Sequence, residues 1–362
     1  MLKLNLENSA VNIYHDSLKE KIEDIRKKPL PNFAKYAQNL KVIDDLTKET
    51  KNYRNIIFCS EFHYDVSSVK EIFPHLFKKN IVSCSFGDAY RINLIKKNLD
   101  PENSLLIFAS QYSDVENVAA LLALKEYPCI LITAPGEHFL YEIARKKELT
   151  VMDMPQIEDG FYAGTLPTLL PLKIAGFPIE ELLEGIKESH ERFSNNSALE
   201  QNLALQAALA AFVLESRGYT EIISQFYPSC LSPLGNIYEA LGNKACDATK
   251  GQTFVSSAFG AGGLLYRHKH GRKNSVLFLT LASIEDDIKI DVPKEFFALT
   301  SDTNILSRIH GKSMQELFYE SLAKLNSPVL TLNLGKFSVY TVGQAIGFLH
   351  WFVKYAMWLR NV

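Results

Sequence analysis

The sequence predicts an α/β protein made of two doubly wound, parallel-sheet units in three αβα layers, with helical arms. Three observations lead there. At 362 residues the chain exceeds one ordinary domain. From residue 54 onward short β-rich runs alternate with amphipathic stretches, and the alternation resumes after a helical, Ala- and Leu-rich segment. The runs are mostly continuous apolar stretches, as strands covered by helices on both faces require.

Residues 1–53 mix charges with isolated apolar positions and read as helical arms, broken at Pro29-Leu30-Pro31. The runs Ile56–Cys59, Ile81–Cys84, Leu105–Phe108, Cys129–Ile132 and Leu149–Met152 predict the strands of a first unit over 54–160. Helices near 66–78, 88–97, 114–126 and 137–147 lie between them, and right-handed crossovers make the unit doubly wound. Residues 161–218 form a helical connector, with helices over 169–175, 179–192 and 197–215 and Gly218 as the stop signal. A second unit over 219–335 takes strands near 220–226, 252–257, 275–281 and 328–333 and helices near 231–245 and 308–325. A last helix over 338–358 fills the segment 336–362.

Composition narrows the function classes. Hydrophobic residues make up 47% and charged residues 22% of the chain, the balance of a compact protein. A net charge of -2 offers no general attraction to nucleic acid or an anionic membrane, so neither is expected as a partner. The N-terminus lacks the apolar core of a secretory signal, which points to a cytoplasmic protein. Five cysteines without a CxxC pair read as reduced thiols, neither a disulfide framework nor a zinc site. The apolar stretch Phe337–Trp358 is interrupted by Gln344, His350 and Lys354 and reads as a buried helix, not a membrane span.

In open α/β sheets ligands sit beyond the carboxyl ends of the strands, so the loops there carry the chemistry. The loop Ala109-Ser110-Gln111-Tyr112-Ser113-Asp114 leads into a helix. Its hydroxyls and backbone N–H groups suit an anion, or Ser113 or Asp114 serves as a plain helix cap. The matching loop after the first strand, Ser60-Glu61-Phe62-His63-Tyr64-Asp65, has no glycine, and its carboxylate and aromatics oppose a phosphate. Phe259-Gly-Ala-Gly-Gly263 permits close backbone approach to a ligand. The basic run 267–273 attracts an anion or is a solvated face. His268 and His270, two apart, would not share a helix face, and no metal site is expected. Glu239 lies in an apolar helix pattern. Half-buried, it would be a general base with a raised pKa; otherwise it pairs with Lys244 or faces solvent.

Three stretches together resemble the phosphoglucose isomerase (glucose-6-phosphate isomerase) family, especially its shorter bacterial forms. Gly160–Gly185 is similar to the segment that begins Gly-Gly-Arg and runs into Leu-Leu-Pro and Ile-Ala-Gly. Tyr227–Lys244 is similar to the segment ending Glu-Ser-x-Gly-Lys, and Ile309–Gly343 to the C-terminal Gly-Lys-Ser/Thr helix, strand and Tyr-Thr-x-Gly helix. Ser110-Gln111-Tyr112-Ser113 resembles the Ser-Lys-Thr phosphate loop of the sugar-isomerase (SIS) domain.

The resemblance implies aldose–ketose isomerisation between glucose 6-phosphate and fructose 6-phosphate through a cis-enediol, in glycolysis and gluconeogenesis. It implies a homodimer, a sugar-phosphate ligand and no cofactor. Glu239 would be the base, and Ser110, Gln111 and Ser113 would hold the phosphate. The enediolate-stabilising Arg of the family falls on Phe161, and its ring-opening His falls on or beside Gly262, with His268 and His270 as substitutes. The family's C-terminal catalytic Lys would lie beyond Leu359-Arg-Asn-Val362. The alternative implied by these departures is a catalytically degenerate sugar-phosphate-binding or regulatory homologue.

Overall fold

The computed structural model describes residues 2–136, 138–246, 250–256, 273–284, 287–297, 303–322 and 327–361. The elements begin with β1 (Lys3–Asn5), α1 (Lys19–Lys27), α2 (Asn32–Lys35), α3 (Leu40–Glu49), β2 (Asn55–Ser60), α4 (His63–Ile72), β3 (Asn80–Cys84) and α5 (Ala89–Asn98). They continue with β4 (Ser104–Ser110), α6 (Val115–Ala123), β5 (Cys129–Thr133), α7 (Phe139–Lys146), β6 (Thr150–Asp153), α8 (Leu166–Ile174) and α9 (Ile179–Arg192). Next come α10 (Leu203–Ser216), β7 (Glu221–Tyr227), α11 (Leu234–Gly242), β8 (Thr253–Ser256) and β9 (Ser275–Ser283). The helices Lys294–Phe297, Thr303–Ile309 and Met314–Leu322, then β10 (Val329–Lys336) and a terminal helix Val339–Arg360, complete the described chain.

The chain forms two compact units. One holds residues 26–197 and 342–351, the other residues 1–25, 198–341 and 352–362. The terminal helix thus contributes a segment to each.

In the unit built on 26–197, one sheet has the order β3-β2-β4-β5-β6, parallel throughout. Read in sequence rank, this is the 2-1-3-4-5 order of a doubly wound sheet. Its central strands are sealed: Ile56, Ile57, Phe58, Leu106, Ile107 and Phe108 have no exposed surface. Because β4 pairs with β2 on one side and β5 on the other, the loops that leave their carboxyl ends are neighbours.

The terminal helix meets α9 in the same unit through two glycines. A Cβ on Gly343 would lie 2.2 Å from the Leu182 carbonyl oxygen, and one on Gly347 would lie 2.7 Å from Ser189 Cβ and 2.9 Å from the Ile186 carbonyl oxygen. Only hydrogen fits at that seam.

In the other unit the sheet order is β1-β10-β9-β7-β8, and all pairs are parallel except β1 with β10. The N-terminal region is therefore not purely helical as expected, because Lys3–Asn5 pairs antiparallel with Thr331–Asn333. The physical reason is an edge: β10 would otherwise present unpaired backbone groups, and a three-residue strand covers them despite carrying almost no periodicity. The predicted stop at Gly218 is a Schellman closure, with φ +91 and bonds from Gly218 N–H to Glu215 O (2.9 Å) and Tyr219 N–H to Leu214 O (3.1 Å). The terminal helix opens with a reciprocal capping box between Ser338 and Thr341.

Its last turn is fastened by Arg360, whose side chain is 3% exposed. Arg360 Nε and a terminal guanidinium nitrogen both reach Glu215 Oε2 at 2.6 Å, while Glu215 Oε1 accepts the Gly251 N–H at 2.7 Å. A further guanidinium bond reaches Gln252 Oε1 at 3.3 Å. Removing one member of such a pair strands a buried charge, so Arg360→Met is expected to destabilise this unit by about 3–5 kcal/mol. Arg360→Met combined with Glu215→Met should recover much of that loss in denaturant titrations, since neither charge then lacks its partner.

Candidate functional site

The two groups of predicted site residues fall in different units: Ser110, Gln111 and Ser113 in one, Glu239 in the other. Each is described within its own unit.

The loop Ser110–Asp114 leaves the carboxyl end of β4 and enters α6, as the sequence predicts. Its two serine hydroxyls have internal partners. Ser110 is 1% exposed; its Oγ donates to Tyr112 O (3.1 Å) and accepts from Asn117 Nδ2 (2.9 Å). Asn117 Nδ2 also reaches Tyr112 O at 2.6 Å, which closes the loop on itself. Ser113 Oγ lies 2.9 Å from His138 Nδ1 and accepts the Leu140 N–H at 3.2 Å. His138 Nε2 is 2.7 Å from the Ala134 carbonyl oxygen. The capping alternative is corrected here: Asp114 holds the N-cap position of α6 without a side-chain cap bond, and Ser113 serves α7 instead of α6.

Gln111 is half-buried, and its backbone N–H faces the carboxylate of Glu61 from the loop after β2. An internal carboxylate thus draws on a backbone donor of the loop after β4. Desolvation pushes the Glu61 carboxyl up to about 7, opposed by the N–H groups of Glu61 and Gln111 and assisted by the charges of Asp159 and Asp114. Glu61 is exposed, so solvent screens this shift, and its upward direction is what bears on ligand binding.

Aromatic side chains fill the floor beneath. Phe62 is 1% exposed and lies against Tyr162, with ring centroids 4.3 Å apart. Tyr162 is fully buried and its hydroxyl has no hydrogen-bond partner; Tyr64 is half-buried. Phe161, at the position where the family resemblance places an arginine, is 2% exposed and stacks on Phe33 with centroids 4.8 Å apart and planes 7° from parallel. Phe33 is held there by Glu158, whose two oxygens accept the Asn32 and Phe33 N–H groups at 3.1 Å each. His350, with no exposed surface, meets both rings edge-on. It is kept neutral by burial, which drives its pKa well below the usual histidine range.

In the other unit α11 turns Leu234, Ile237, Tyr238 and Leu241 inward, which leaves Glu239 exposed, not half-buried. Glu239 Oε2 accepts the Ser256 N–H at 3.4 Å. The solvent-facing alternative for this residue is the observed one. His268, His270, the glycine-rich 259–263 segment and Arg272 of the basic run lie outside the described residues. Among the described residues no group of three or more His, Cys, Asp or Glu side chains is placed to hold a metal ion, and no helix is long and apolar enough to cross a membrane.

Sequence reasoning missed His138. The signal was there in the topology: β4 and β5 are adjacent, so the loop after β5 had to lie beside Ser113. It also missed Asp65, which sits in the first turn of α4 at 1% exposure. Burial pushes its carboxyl up to about 8, against a downward pull from the Thr168 hydroxyl, 3.4 Å from Oδ2; Oδ1 has no partner. A folded pKa raised above the unfolded one means that the native state holds an extra proton between about pH 4 and 8, so stability from this group is present at low pH and lost as pH rises. Asp65→Asn should therefore gain on wild type as pH rises through that window, by up to about 1.4 kcal/mol per pH unit in urea denaturation. A pH-independent difference would show that Asp65 is ionised in the native protein.

No family model matches the chain. Over 101 residues, 28% of this chain and 23% of that protein, it is 33% identical to a protein named glucose-6-phosphate isomerase from Mycoplasmopsis pulmonis. Other curated glucose-6-phosphate isomerases match at lower identity over up to 72% of this chain and 62% of their own length, so the matched region spans less than two thirds of these relatives. A crystal structure of a hypothetical protein from Thermus thermophilus superimposes with a TM-score of 0.81 at 20% identity, covering 100% of this chain and 95% of that one. Glucose-6-phosphate isomerase from Chlamydia trachomatis superimposes with a TM-score of 0.76 at 12% identity, covering 100% of this chain and 84% of that one. The chain shares the fold of the phosphosugar isomerases and carries a distant, partial sequence likeness to glucose-6-phosphate isomerase.

Proposed function

We propose that this protein is a catalytically degenerate relative of the sugar-phosphate isomerases, whose remaining sugar-phosphate recognition is opposed by Glu61. The observation that carries the reading is Phe161. At the position that the resemblance gives to the enediolate-stabilising arginine stands a ring packed into an aromatic stack, with no positive charge to offer. Loss of one such electrostatic stabiliser costs about 10²–10³ in rate. The phosphate loop supports the same reading, because a ligand at Ser110 or Ser113 must first displace internal bonds, each worth roughly 0.5–1.5 kcal/mol.

Purified protein with fructose 6-phosphate, coupled to detection of glucose 6-phosphate, is expected to show no more turnover than its Glu239→Gln variant. Turnover abolished by Glu239→Gln would instead establish an active isomerase with Glu239, exposed on α11, as its base.

Binding is tested separately. The Glu61 carboxyl is pushed upward, so its charge, which sets it against an incoming phosphate, grows in at a higher pH than that of an ordinary glutamate. Thermal shifts with glucose 6-phosphate should be larger for Glu61→Gln than for wild type at pH 8, and the gap should narrow at pH 6. At 100 times the dissociation constant the ligand stabilises the protein by about 2.7 kcal/mol, well within the reach of the measurement. Equal, flat melting curves for both proteins at both pH values would remove sugar phosphates as ligands of this loop.

A further inference from the structure

The geometry points to an activated serine: we propose that Ser113 and His138 form a nucleophile–base dyad at the carboxyl edge of the β4–β5 sheet, able to accept the acyl group of a neutral ester. The proposal goes beyond the sugar-phosphate reading and does not depend on it.

The hydrogen atoms can be assigned from the partners. His138 Nε2 stands 2.7 Å from the Ala134 carbonyl oxygen, which can only accept, so Nε2 carries the proton. In the neutral ring Nδ1 is then a bare lone pair, and it stands 2.9 Å from Ser113 Oγ. Ser113 Oγ already accepts the Leu140 N–H, so its own hydrogen is directed at Nδ1. A nucleophile within hydrogen-bond reach of a base, with the base held in one tautomer by a third group, is the arrangement that activates a hydroxyl. Ser113 and His138 are both partly exposed, unlike Ser110.

A second feature sits beside the dyad. The helix α6, nine residues long, begins two residues after Ser113, and the Asp114 side chain makes no cap bond to it. Its first-turn N–H groups are donors of the kind that stabilise the oxyanion of a tetrahedral intermediate. Asp114 and Glu116 are exposed at the same end, so the ester that fits is neutral and not anionic.

The step balances without a co-reactant. As Ser113 Oγ bonds to the ester carbonyl carbon, its proton passes to His138 Nδ1. Collapse of the tetrahedral adduct breaks the bond to the leaving alkoxide, which takes that proton from His138. Water then attacks the acyl-serine, giving its proton to His138 and releasing the carboxylic acid, while Ser113 Oγ regains a hydrogen.

The test uses the full chain with a neutral alkyl fluorophosphonate, which forms a serine O–P bond as the P–F bond breaks, and maps the adduct by peptide mass spectrometry. The expected adduct is on Ser113, absent in Ser113→Ala, and formed at least about 100-fold more slowly in His138→Gln. Melting curves verify that each variant is folded. If Ser113→Ala does not fold, Ser113→Cys replaces it, with iodoacetamide alkylation slowed by adding His138→Gln as the expected result. Lack of a Ser113 adduct, or an unchanged rate in folded His138→Gln, overturns the dyad and leaves both residues as a loop-to-loop tether.

Discussion

The face-to-face contact of Phe161 with Phe33 is the constraint on which the functional reading of this protein turns. It is made possible by Glu158, which spends both carboxylate oxygens on the first N–H groups of α2 and so fixes where Phe33 points. Once the two rings are stacked and His350 closes over them, the position is core. An arginine there would have to bury a guanidinium among aromatic rings or break the stack. On the proposed reading, the absent positive charge and the packing role of Phe161 are one feature, seen from chemistry and from stability.

Much of the fold was legible in the residues. The mostly apolar runs that become β2 to β5 were located to within two residues because burial on both faces of the inner strands keeps most of their positions apolar. Helix α9 was legible from Ile179 to Arg192 because its apolar stripe and its acidic first turn agree. Strand β1 was not, since three residues cannot display a period and its pairing is dictated by β10, far away in sequence. The helix read over 308–325 is divided for a related reason: Gly311 takes φ +76, so that Thr303–Ile309 ends before it and Met314–Leu322 begins after it.

The site was legible in position but not in state. Reading loops beyond strand ends singled out Ser110–Asp114 as candidates and Glu61 as an opponent of phosphate, while an apolar helix pattern and the family resemblance singled out Glu239. What spacing could not reveal is that the Ser110 hydroxyl, drawn as a ligand donor, is taken by the Tyr112 carbonyl and Asn117, or that Ser113 crosses to a neighbouring loop. Such bonds depend on which strands are adjacent, and adjacency becomes certain only once the sheet order is known. The same limit explains Glu239: an apolar pattern around a carboxylate shows that a helix is amphipathic, and the angle of one residue about its axis decides whether it is inside or out.

The glycine seam between α9 and the terminal helix reaches further than packing. Gly343 and Gly347 stand four residues apart, one turn of helix, and each presses its Cα to the backbone of α9. Two helices joined this way act as a keyed shaft. Rotation by one residue would swing a methyl or larger group into a carbonyl oxygen, and sliding by one turn would do the same. Any rearrangement that moves the terminal helix within this unit must therefore carry α9 with it as a single rigid piece.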